Sequence, residues 1–263
     1  MRTARGQMPS KNNSFRSIGE LLDLLKRISK DKPAVWFRGQ AVAKWKLKPS
    51  IMRPPHSFDD EVVLLKRFKQ NAVPLVDTVP DEEADWLFLM QHHRVPTRLL
   101  DWTESPLVAL YFAIAPSAEK KHDSKDASLW CLFPHSLNAL VGIRMDSSYD
   151  IPCFGHEDVL DTYLPSRAAG ITTASPKPIA LIAPRPFRRL HVQQGVFTLF
   201  HRNTTALEEL ADAKGKQPHI VKLIIPASAK SKLRNELRLL QIDRLALFPE
   251  LENVAERIVI SKT

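Results

Sequence analysis

Arg38, Gly39, Gln91, His92, Arg98, Asp101 and Gln194 are the residues of this sequence whose types could do chemistry together. A guanidinium grips phosphate through parallel hydrogen bonds, and a glycine beside it lets a backbone or a ligand come close. Gln91, His92 and Gln194 could hydrogen-bond an amide or a ribose hydroxyl, and Trp36, Trp102 or Tyr111 could stack on a base. Such a set suits a nucleotide, provided that the residues converge.

Plainer readings compete for the same residues. Arg98 and Asp101, three apart beside Trp102, could form an internal salt bridge that merely positions the segment. His92 and His93 close a helix, where histidine more often meets the helix dipole than a metal. Asp85 and Asp101 could serve as an acid and base pair, but no recurring acidic motif surrounds them. Ser105 precedes Pro106 without a nucleophile elbow and reads as a helix cap. Cys131 and Cys153 stand in no metal or redox spacing.

The elements that must position these groups belong to one large domain. The 263 residues are 44% hydrophobic and 25% charged, which is ordinary for a globular chain. With 38 Lys and Arg against 29 Asp and Glu, the net charge of +9 permits attraction to nucleic acid, nucleotides or an acidic surface without choosing among them. Two cysteines and no apolar run near the roughly 18 residues of a membrane span fit a cytoplasmic protein. Residues 1–16 are expected to form a flexible basic tail and 17–263 the domain. The basic groups at Arg185 to Arg189 and at Lys230 to Arg238 read as solvated faces.

Ser17 and Glu20 have capping-box spacing, and Leu21, Leu24, Leu25 and Ile28 share a helical face, so a helix starts there. AVWFR then reads as a buried strand that ends at Gly39. Ser57 with Asp60 caps a second helix, and DEEADWLFLMQHH makes a third that delivers Gln91 to His93. TRLLDW, a strand or loop, leads through Ser105 and Pro106 into an almost wholly apolar helix, with Val108, Leu110, Phe112 and Ala113 expected in the core. ASLWCLF, PIALIAP, GVFTLF and HIVKLIIP are further strands. A long connection around a helix near 157–164, a basic helix from 228 and a last helix opened by Pro249 complete the chain. Helices first and strands later predict an α+β fold of mostly antiparallel pairing flanked by helices.

WFRGQ at 36–40 and QHHRVPTRLLDWTESPLVALYFA at 91–113 resemble the FRG domain, named for the triplet that stands here as Phe37, Arg38 and Gly39. QQGVFTLF at 193–200, the IIPASAKSKLRNELRLLQI segment and LFPELENVAERI agree in order, so the resemblance runs over about residues 17–258. The layout is also similar to the ADP-ribosyltransferase fold. That resemblance implies NAD as cofactor, with Arg38 on its diphosphate or ribose and TESPLVALYFA as the strand-to-helix element. It puts Gln194 at the late catalytic position. Phe37, Gly39, Gln40, Gln91, His92, Thr97, Arg98, Trp102 and Tyr111 would complete the cofactor site. Most active transferases carry Glu at that late position, and Gln194 cannot bear charge. Either Asp101 or Glu104 serves the reaction, or the domain binds without turnover.

Three functions follow: an NAD-using transferase of the toxin or phage-defence kind, acting on nucleic acid or protein; a non-catalytic nucleotide or nucleic-acid module; and a protein that works through a partner docked on the Lys230 to Arg238 helix.

Overall fold

The computed structural model describes residues 13–115, 122–143, 147, 150–168, 176–185, 187–250 and 253–254. Six strands form one open, wholly antiparallel sheet, in the order β4-β5-β2-β1-β3-β6. They are β1 (Trp36–Gln40), β2 (Leu99–Thr103), β3 (Ala127–Leu132), β4 (Ile179–Leu181), β5 (Gly195–Leu199) and β6 (Ile220–Ile225). The fold is α+β.

Three helices lead to the first two strands: α1 (Ile18–Ile28), α2 (Phe58–Ala72) and α3 (Glu83–His92). Ser17 caps α1 by accepting from the Glu20 amide at 3.2 Å, and the Ser57 amide donates to Asp60 at 2.7 Å at the start of α2. Then come α4 (Pro106–Ile114), α5 (Pro134–Leu140), α6 (Pro165–Ala168), α7 (Arg188–Val192), α8 (Lys230–Leu239) and α9 (Arg244–Leu247). The expected helix near 157–164 is a 3-10 helix, Asp158–Tyr163. The helix opened by Pro249 lies largely outside the described residues.

Alternation along the strands sends successive side chains to opposite faces. Phe37, Leu129, Cys131, Leu223 and Ile225 pack beneath α1, α4 and α8. Leu99, Phe197, Leu199 and Ile179 pack against Ala84, Leu87 and Phe88 of α3. The opposite face, with Trp36, Trp102, Trp130 and Val196, buries itself against Leu47, Ile51, Phe58 and Leu207. Burying such side chains stabilises a fold by about 1.5–3 kcal/mol each.

Two sequence expectations change. Residues 13–16 are not part of a free tail: Phe15 is fully buried, and its amide donates to the Ile224 carbonyl at 3.1 Å. Phe112, expected in the core with its helix, is 37% exposed, because it lies on the side of α4 that faces an open cavity. No helix among the described residues is long and apolar enough to cross a membrane.

Candidate functional site: a cationic cavity where the sheet parts

β1 and β2 are neighbours in the sheet, yet their ladder has one register pair, Phe37 opposite Thr103. Each makes five pairs with its other neighbour, β1 with β3 and β2 with β5. Beyond Phe37 the two strands part, and the Asp101 carbonyl is met by a side chain: Arg38 Nη1 donates to it at 2.5 Å. The same nitrogen lies 3.7 Å from Asp101 Oδ2. Arg38 therefore holds the opening of the split from one strand to the other.

A cavity of about 730 Å³ occupies this place. Phe37, Arg38, Gly39, Gln40 and the loop from Ala41 to Arg53 supply one side; Gln91, Arg94, Asp101, Trp102, Phe112, Arg189 and Gln193 contribute to the other. Among its described lining residues are six cations, Arg38, Lys46, Lys48, Arg53, Arg94 and Arg189, against one carboxylate, Asp101. Lys46 is paired with Glu209. Lys48, Arg53, Arg94 and Arg189 have no carboxylate at ion-pair distance among the described residues.

Burial pushes the Arg38 guanidinium below its ordinary range, with Asp101 acting in the opposite sense; an arginine remains charged regardless. Its Nε is buried without an acceptor. Leaving a charged donor unsatisfied costs on the order of 1–3 kcal/mol, so this atom has an unmet demand for an anion or a carbonyl. Burial also lowers Arg53 and Arg189, which Asp101 raises in part, and Arg94 adds like-charge repulsion at Arg189.

Asp101 is positioned by a relay. Gln91 Nε2 donates to Asp101 Oδ2 at 2.8 Å, and Gln91 Oε1 accepts from Thr97 Oγ1. Both ends of the Gln91 amide are thus engaged within the protein, and Thr97, fully buried, acts beneath the site without lining it. Gln40 is also structural in its contacts: its Oε1 accepts from Trp130 Nε1 at 2.7 Å and its Nε2 donates to the Lys46 carbonyl at 3.3 Å. It ties the basic loop to the sheet.

Other residues expected at the site stand differently. Arg98 does not reach the cavity, nor does it pair with Asp101; it is buried against Glu61, with both Nε and Nη2 2.6 Å from Glu61 Oε2, and Nη1 donates to the Tyr163 carbonyl. Gln194 is exposed in the turn after α7, with φ of 48°, and Gln193 lines the cavity in its stead. Gln193 Nε2 donates to the Leu247 carbonyl at 2.8 Å. His92 stacks on Phe187, ring centroids 4.4 Å apart, away from the lining. Burial lowers its imidazole, and His93 and Arg189 add to that.

Trp36 is core and cannot stack on a ligand. Trp102 reaches the cavity floor but donates through Nε1 to Thr198 Oγ1 and packs in the core. Tyr111 leans on Phe112 and Phe248 and does not line the cavity. The open aromatic surfaces there are Trp45 and Phe112, 47% and 37% exposed. Gly39 has a packing reason beside any ligand reason: a Cβ would fall 1.9 Å from the Ala109 carbonyl oxygen and 2.6 Å from the Ala113 nitrogen. It is the backbone of α4 that comes close. Glu104, the other acid considered for the reaction, is paired with Arg185.

Sequence reasoning missed Trp45, Lys48, Arg53 and Arg189 as partners of one cavity, and Glu61 as the partner of Arg98. KWKLKPSIMR carries its cations at a loop spacing that no periodicity marks, and Arg189 was read as part of a solvated face.

An antiparallel α+β sheet that parts around an arginine held across two strands defines the structural class. Residues 33–123 match the family model of the FRG domain, so this part of the chain carries an FRG domain. The matched span carries β1, the basic loop, α2, α3, β2 and α4, and so Arg38, Asp101 and most of the cavity's cations. No curated protein sequence and no solved structure matches the chain.

Proposed function

We propose that the cavity binds a nucleotide through its phosphates, with NAD as the ligand and ADP-ribosyl transfer as the reaction, in an effector of the toxin or phage-defence kind. The observation that carries this reading is the six-to-one excess of cations over carboxylates in the cavity, with a buried Arg38 Nε still lacking an acceptor. A diphosphate offers acceptors for Arg38, Lys48 and Arg53 together, and charge-assisted bonds of this kind are shorter and stronger than neutral ones. Phe112 offers a ring face for a base.

Transfer from NAD breaks the bond between the nicotinamide nitrogen and the ribose C1′ while an oxygen or nitrogen of the acceptor forms the new bond to C1′ and gives up its proton. Nicotinamide leaves neutral, and positive charge builds on the ribose in the transition state. A carboxylate close by lowers that barrier. Asp101 is the acid that faces the cavity, oriented by Gln91. Gln194 has no part in this reading, and Arg98 supports the fold beneath it.

The test is isothermal calorimetry with NAD and with ADP on the wild type and on Arg38→Ala, followed by assay of nicotinamide release. Binding by the wild type that falls at least tenfold in a folded Arg38→Ala supports the site, and nicotinamide release establishes turnover. Absence of binding by well-folded wild type sinks the nucleotide reading. Binding of both ligands without release leaves a nucleotide-binding module.

A further inference from the structure

The cavity has more cationic capacity than one diphosphate can use, and the surplus is not evenly spread. Lys48 and Arg53 come from the loop after β1, on the side of Arg38. Arg53 is anchored by Nε and Nη2 bonds to the Lys48 carbonyl at 3.1 and 2.7 Å. Arg94 follows the C-terminus of α3 and Arg189 lies on α7. These two feel each other's charge. Asp101 acts favourably on both Arg53 and Arg189.

The Arg94 backbone has φ of 62°, and its amide donates to the Gln91 carbonyl at 3.1 Å. A non-glycine residue at positive φ is uncommon and costs energy. Arg189 is held by Phe248, whose ring centroid lies 4.7 Å from the guanidinium carbon. Two like charges thus line the cavity, neither with a carboxylate at ion-pair distance among the described residues. Glu250 and Asp101 offset part of the repulsion at Arg189, and a phosphate drawn into the cavity offsets more.

We propose that Arg94 and Arg189 bind the sugar-phosphate backbone of a single-stranded nucleic acid, which enters the cavity as the acceptor substrate beside the nucleotide. This inference rests on the nucleotide reading only for the strand's role as acceptor. Three features favour a strand over a protein acceptor. Six cations line the cavity against one carboxylate, which suits a ligand that carries a phosphate at every residue. Trp45 is half exposed at the same cavity and held edge-on by His122 with ring centroids 5.1 Å apart, a fixed platform for an unpaired base. The net charge of +9 favours encounter with a polyanion.

Fluorescence anisotropy of labelled ten-residue thymidine DNA and uridine RNA strands, titrated with the full chain at several salt concentrations, tests it. The wild type should bind at least one strand, with affinity falling as salt rises. The double variant Arg94→Ala, Arg189→Ala should bind that strand at least tenfold more weakly, with a log-log salt slope shallower by about 1.4, from about 0.7 per lost phosphate contact. Arg94→Lys with Arg189→Lys should recover most of the affinity, and Trp45→Ala should lose severalfold. ADP binding by the double alanine variant, followed by calorimetry, should fall much less than strand binding does, because Arg38, Lys48 and Arg53 remain, and reports on both the fold and the nucleotide site. No strand binding by wild type at low salt, or equal binding by the double alanine variant, overturns the inference; ADP binding in that same experiment leaves the nucleotide reading standing. Strand binding without ADP binding overturns the acceptor role and that reading together.

Discussion

Arg98 and Glu61 form an ion pair 2.6 Å long in which neither side chain is more than 2% exposed. Glu61 accepts as well from the Arg98 amide at 2.7 Å, fixing α2 to the start of β2. Removing one partner of such a pair strands a buried charge, whereas removing both need not. Arg98→Met should lose about 3–5 kcal/mol by urea denaturation, and Arg98→Met with Glu61→Leu should recover part of it. Nucleotide affinity per folded molecule should not change. A loss of affinity in a folded Arg98 variant would return this residue to the binding site.

Gly39 and Gly19 make opposite predictions for the same substitution. At Gly39 an added methyl meets the α4 backbone, which cannot swing aside as a side chain can, and overpacking of this kind costs about 3 kcal/mol or more. At Gly19, on the first turn of α1, the nearest atom is Ser17 Oγ at 3.9 Å, so Gly19→Ala should stabilise the chain by about 0.5 kcal/mol. Chemical denaturation of the two variants separates a packing glycine from a merely permissive one.

How much of this was legible in the sequence depends on the range of the forces involved. The Ser17 and Ser57 caps and the helix that delivers Gln91 follow from local patterning, and they stand where that patterning put them. Arg38 and Asp101 stood out as costly polar residues among apolar ones. What stayed hidden were pairings across long separations. Arg98 finds Glu61 37 residues away, and Arg38 meets a backbone carbonyl 63 residues on. Nor could a spacing show that β1 and β2 part after one register pair, which is what creates the cavity.

Acid should destabilise the protein through its buried histidines. His201 and His219 are fully buried, and burial pushes both imidazoles below the ordinary range. The unfolded chain therefore binds more protons than the folded one as pH falls through the ordinary value of about 6.5. The stability contributed is present above that value and is lost toward the lower folded values. Melting temperature should fall between pH 7.5 and pH 5. His219 has Nε2 3.1 Å from the Leu207 carbonyl and a buried Nδ1 without a partner, so His219→Gln should flatten the slope. A slope unchanged in both His219→Gln and His201→Gln would assign the acid sensitivity to other groups.

Asp101 separates binding from chemistry. It is the carboxylate among the described residues lining the cavity, its side chain is about half exposed, and Arg38 Nη1 and Gln91 Nε2 hold it. A negative charge there repels a phosphate that Arg38, Lys48 and Arg53 attract. At 4 Å in water-like surroundings such repulsion is about 1 kcal/mol, so Asp101→Asn should bind ADP about fivefold more tightly. Asparagine keeps the shape and can still accept from Gln91, so the fold should hold. If Asp101 stabilises positive charge on the ribose, the same variant should release nicotinamide at least a hundredfold more slowly from NAD that it binds no less tightly. Tighter binding with unaltered release would remove Asp101 from the chemistry, while weaker binding of ADP would mean that Arg38 depends on Asp101 to be held in its gripping position.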